Sequence, residues 1–134
     1  MTTVYLGELQ TEGTHLKSGT KLLTDPPIDN NGKGLAYSPT DLLSAALSSC
    51  MITIMGILAQ KEGLDIVGLK ADITKIMVAN PRRVSEIVID MVLPENKVAL
   101  LSEKNRADLK HAAHTCPVAL SIHPDIKQKV SFNF

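Results

Sequence analysis

An α+β fold, built as antiparallel sheet around one long buried central helix, follows from three observations in this 134-residue sequence. The 19 residues from Leu42 to Gln60 carry no charge and are bounded by helix start and stop signals. The segments after them alternate apolar and polar residues with a period of two. Further on, Leu109, Ala112, Ala113 and Cys116 recur at i, i+3, i+4 and i+7, one face of a second helix. No internal repeat, low-complexity tract or linker interrupts the chain. It reads as a single domain, residues 1–134, long enough to bury about two-thirds of its unfolded surface.

Residues 3 to 9 and 14 to 24 read as strands, with Lys17-Ser18-Gly19 supplying the positive φ of a hairpin turn. Thr24 to Gly34 (TDPPIDNNGKG) holds two prolines, two glycines and four Asx residues, so it is a surface loop. The long helix then starts at Ser38, placed to cap, with Pro39 in the first turn, where its missing N–H costs nothing. Asp41 adds negative charge near the positive end of the helix dipole. Gly63 suits the left-handed position that ends the helix. A helix apolar on nearly every side is expected to be buried on nearly every side.

After Gly63, Val67, Leu69, Ala71 and Ile73 share one parity, as do Ile87, Ile89, Met91 and Leu93. Each set predicts a strand with one buried face, and Ala79-Asn80-Pro81-Arg82 marks an antiparallel turn between them. Ser102 caps the second helix, which runs to about Thr115. Pro117 ends that helix and starts a short further turn, VALSI. The chain finishes as a strand in which Ile126, Val130, Phe132 and Phe134 alternate with polar residues.

The uncharged run is long enough for a membrane span, but Ser44, Ser48, Ser49 and Thr53 interrupt it and no basic cluster flanks it. A core helix is the better reading, so no membrane partner is expected. Fourteen basic residues balance fourteen acidic ones without a basic stripe, which argues against nucleic acid. The opening MTTVYLGELQ lacks the pattern of a secretory signal, so the expected location is cytoplasmic. In that compartment the two cysteines are expected to be free thiols rather than a structural staple. With two Phe, two Tyr and no Trp, the core must be aliphatic.

Redox chemistry rests on Cys50 and Cys116. Cys50 lies in mid-helix in an apolar setting, which raises a thiol pKa unless a cation or helix N-terminus is near. Cys116 precedes Pro117 and so sits near the start of the following turn. Both also fit the ordinary role of a small buried hydrophobe. His114 and Cys116, with Cys50 and His15 brought in from afar, suggest a soft metal site, but the spacing matches no standard zinc pattern. No metal or other cofactor is expected. Gly32 to Gly34 lack the spacing of a phosphate loop, and no Ser-His-Asp order stands out.

The segments SPTDLLSAALSSCMITI and HTCPVALSIHPDI, about 65 residues apart at their cysteines, resemble the paired signatures of the OsmC/Ohr family. HLKSGTKLLTDPPIDNNGKG is similar to its OsmC-like subgroup. The resemblance implies an intertwined homodimer with the central helices of both chains packed back to back. It also implies a thiol peroxidase acting on organic hydroperoxides: Cys50 attacks the peroxide and becomes a sulfenic acid, and Cys116 condenses with it to a disulfide. An external dithiol, a lipoyl protein or a thioredoxin-like one, restores both thiols. A pocket lined by Leu47, Met51 and Ile54 would favour fatty or aryl hydroperoxides.

Strongly active members carry a Glu ten residues before the first cysteine and an Arg on an early strand. Here the Glu position is Thr40, with Asp41 beside it, and no Arg precedes Arg82. His15 and Asp41 are the candidate substitutes, although nine helical residues separate Asp41 from Cys50 by about 13 to 14 Å. Asp41 of a second chain would reach Cys50 if two long helices paired about a two-fold axis. The competing expectation is a binding protein on the same scaffold, with an apolar pocket between subunits and little or no peroxidase activity.

Overall fold

The computed structural model describes all residues from Met1 to Phe134. They form two compact units, Met1–Leu43 and Ser44–Phe134.

In the first unit, β1 (Thr2–Gly7), β2 (Gln10–Thr14) and β3 (Lys21–Thr24) make an antiparallel sheet in that order. The sequence predicts an unbroken strand to residue 9, but the chain turns at Glu8 and Leu9 (φ 49° and 67°). Neither residue announces a turn with two left-handed positions, a role usually filled by Asn or Gly. Gly19, at φ 75°, supplies the expected positive φ before β3.

The loop after β3 folds around Asp25, which is fully buried. Its carboxylate accepts the Lys33 N–H at 3.3 Å and the Leu35 N–H at 2.9 Å. Those donors, Leu35 first, outweigh burial and hold the Asp25 carboxyl below the usual carboxylate range. A Cβ on Gly32 would fall 1.8 Å from the Pro26 carbonyl oxygen, so only glycine permits the loop to close. Ser38 then caps helix α1 (Pro39–Glu62) as expected. Its Oγ accepts the Asp41 N–H at 3.1 Å, while the Asp41 carboxylate accepts the Ser38 N–H at 2.8 Å and the Ser38 hydroxyl at 2.7 Å.

Most of α1 belongs to the second unit. There the chain by itself buries only a stripe: Ser44, Leu47, Ser48, Met51, Met55 and Ala59. This departs from the expected burial on nearly every side, because Ala46, Ser49, Thr53 and Ile57 remain exposed. Gly63 (φ 66°) ends the helix, and the Leu64 N–H returns to the Ala59 carbonyl at 2.8 Å.

A second sheet has the order β4 (Lys70–Ala79), β5 (Arg82–Val92), β6 (Lys127–Asn133). β5 is central, and Val84, Ile87, Ile89 and Met91 fill one face. The bulge opposite Ile76 and Met77 explains why the buried parity changes between Val84 and Ile87. β4 starts later than its parity suggests, since Gly68 (φ 93°) belongs to the preceding turn and Val67 is exposed.

β6 pairs parallel to β5, whereas the sequence predicts antiparallel sheet throughout. Parallel pairing requires a long crossover. Helices α2 (Glu95–Val98), α3 (Glu103–His114) and α4 (Pro117–Ser121) supply it. α3 begins with a capping box between Ser102 and Asn105 and buries Leu109 and Ala113.

Candidate dithiol site

Two elements of the second unit deliver the thiols. α1 carries Cys50 on the flank of its buried stripe, partly open to solvent. On the other side, α3 extends its buried face from Leu109 through Ala113 to Cys116, and none of the three has exposed surface. The helix cannot continue past Pro117, so Cys116 adopts an extended conformation (φ −67°, ψ 139°) and becomes the cap of α4. Its sulfur accepts the Ala119 N–H at 3.2 Å. Gln128 on β6 donates from Nε2 to the Ala119 carbonyl at 3.0 Å and so fixes that residue against the sheet.

The Cys50 side chain is close enough to Cys116 to act on its ionisation. Burial pushes the Cys116 thiol above its ordinary pKa, and the Ala119 N–H pulls the other way. The nearby Cys50 side chain raises it further, while the Val118 N–H opposes this. Two neighbouring thiols can lose two electrons to an oxidant and close a disulfide when their Cα atoms lie within about 7 Å.

The supporting residues predicted from sequence have local duties. His15 sits in the turn between β2 and β3, its Nδ1 2.6 Å from Ser18 Oγ. Thr40 and Asp41 cap α1 through Ser38. Of the three residues proposed to line a pocket, Leu47 and Met51 are sealed in the core, and Ile54 is half-buried. An apolar cleft of this unit lies further along α1, where Ile52, Gly56 and Ala59 face Leu64, Ile66 and Leu69 around about 350 Å³. No metal-binding cluster of His, Cys, Asp and Glu forms. His114, the nearest imidazole in sequence to Cys116, instead stacks edge-on against Phe132 at 5.8 Å.

Ala119 and Gln128 escaped sequence reasoning. The Cys-Pro pair signalled a cap for α4, but a backbone N–H has no side-chain signature. Gln128 meets α4 only because β6 returns parallel to β5.

Comparison with known proteins places these observations in a family. The profile of the OsmC-like protein family matches residues 32–131. A crystal structure from Psychrobacter arcticus 273-4, named for an osmotic stress induced and detoxification response, is 48% identical, with a TM-score of 0.92 over 98% of this chain and 93% of that one. An organic hydroperoxide resistance protein OsmC from Legionella pneumophila is 18% identical, with a TM-score of 0.74 over 100% and 98% of the two chains. An OsmC like protein from Mycoplasma pneumoniae is 17% identical, with a TM-score of 0.77 over 98% and 93%. The last two likenesses are of fold. Comparison with curated protein sequences finds no match. With a profile match across most of its length, and both thiols inside the matched region, the chain belongs to the OsmC-like protein family.

Proposed function

We propose that this protein is a thiol peroxidase that reduces organic hydroperoxides, with Cys50 as nucleophile and Cys116 as resolving thiol. Family membership supports a redox or peroxide-related role. The observation that supports the finer reading is a partly open Cys50 near a buried Cys116 whose thiol burial pushes above its ordinary pKa. The Cys50 thiolate attacks the outer peroxide oxygen, the O–O bond breaks, and the alcohol departs after taking a proton. The Cys116 thiol then attacks the Cys50 sulfenic acid, expelling water and closing the disulfide. An external dithiol reduces it, so the cycle needs no cofactor, and a reducing cytoplasm suits it.

The working unit in this reading is a homodimer. A single chain leaves Ile57 of α1 at 59% exposure, with Val4, Tyr5 and Leu6 of β1 also exposed, and a second copy would cover them. The test is consumption of cumene hydroperoxide driven by dithiothreitol. Turnover that disappears in Cys50→Ser supports the proposal, whereas no turnover above the uncatalysed rate overturns it.

A second reading, an apolar-ligand binding protein, is favoured by the cleft beside Gly56. It predicts that Gly56→Leu abolishes retention of a hydrophobic probe while Cys50→Ser leaves retention unchanged.

A further inference from the structure

Building on the dithiol reading, we propose that the Cys50–Cys116 disulfide is reduced from one side only: the reductant attacks the Cys50 sulfur, and Cys116 departs as the leaving thiolate. Access is the first ground. Thiol–disulfide exchange requires the incoming sulfur to reach the sulfur it attacks. Cys50 keeps surface open to solvent, whereas Cys116 has none.

The second ground is what awaits the departing sulfur. The Ala119 N–H already points at Cys116 Sγ from 3.2 Å, and the Gln128 amide holds Ala119 in place through its carbonyl. A hydrogen bond to an anionic acceptor is about twice as strong as one to a neutral acceptor. This donor therefore contributes most at the moment when negative charge gathers on Cys116. Burial alone would make Cys116 a poor leaving group, and the N–H relieves part of that penalty. Beside Cys50 on α1, the Ser48, Ser49 and Thr53 hydroxyls donate to helix carbonyls instead.

In the first step an external thiolate forms a bond to Cys50 sulfur, the Cys50–Cys116 bond breaks, and the Cys116 thiolate takes a proton from water. A second external thiolate then attacks the reductant's own sulfur in the mixed disulfide. That releases Cys50 as thiolate and leaves the reductant as its disulfide. Two thiols are oxidised and one protein disulfide is reduced.

Diamide-oxidised wild-type protein, treated briefly with glutathione, quenched in acid, alkylated and mapped by peptide mass, tests this without hydroperoxide. Glutathione on Cys50 with alkylated Cys116 is expected. Glutathione on Cys116, or divided evenly, overturns the proposal. If diamide closes the disulfide and cumene hydroperoxide does not, the peroxidase reading falls while the mapping still decides the direction of reduction. If diamide yields no disulfide, both fall. Ala119→Pro, which deletes the donor at a first-turn position, should slow reduction by about tenfold with the adduct still on Cys50. An unchanged rate would remove the N–H from the account, and the wild-type mapping needs no variant to fold.

Discussion

Replacing Leu109 with alanine tests whether α3 is held as firmly as the placement of Cys116 requires. Leu109 has no exposed surface and lies two turns before Cys116 on the same buried face. Removing its three outer carbons forfeits about 2.4 kcal/mol of transfer free energy at about 0.8 kcal/mol per carbon. The cavity left behind raises the loss to about 3.5 kcal/mol, inside the usual range for buried Leu→Ala. With an unfolding entropy of about 2.1 cal/mol/K per residue, that loss lowers Tm by about 12 °C for a chain of this size. Urea and thermal unfolding at one fixed protein concentration measure both quantities. Ser102→Ala gives a comparison in the same helix, where loss of the cap costs about 1 kcal/mol. Should Leu109→Ala cost no more than Ser102→Ala, α3 is not packed as described and the position of Cys116 loses its support.

Other outcomes follow from the same geometry. Cys116→Ser, treated with one equivalent of cumene hydroperoxide, should accumulate a Cys50 sulfenic acid that dimedone traps, whereas the wild type should yield little adduct. Gly32→Ala should open the loop between β3 and α1, since the added carbon cannot coexist with the Pro26 carbonyl; faster proteolytic cleavage between residues 26 and 35 would report it. Asp25 has a folded pKa below its unfolded one, so its contribution to stability is complete above about pH 4 and declines as pH falls toward the lowered value. Hydrogen exchange at the Leu35 amide should therefore stay slow at neutral pH and accelerate only in stronger acid. In Asp25→Asn it should be fast at every pH.

The sequence carried the elements whose signals are local. Ser38, Pro39 and Gly63 marked both ends of α1, and Ser102 and Pro117 marked those of α3, because caps and breakers act within a turn of themselves. The parity of Ile87, Ile89 and Met91 revealed the buried face of β5, since a sheet covered on one side needs that alternation. What remained hidden depended on partners distant in sequence. Nothing in residues 127–133 tells a parallel neighbour from an antiparallel one. The turn at Glu8 and Leu9 uses residues that usually avoid left-handed backbone. At the site, the cysteines were recognisable by type and by family resemblance. The bond from Ala119 to Cys116 required the crossover through α3 and α4.

The sharpest examination of the peroxidase account is the intact mass and peptide map of fully reduced protein after one equivalent of cumene hydroperoxide. The account predicts loss of two hydrogens and a single cross-linked peptide pair joining Cys50 to Cys116 within one chain. Two thiols still free to alkylate, with no dimedone adduct and the hydroperoxide unconsumed, would contradict it.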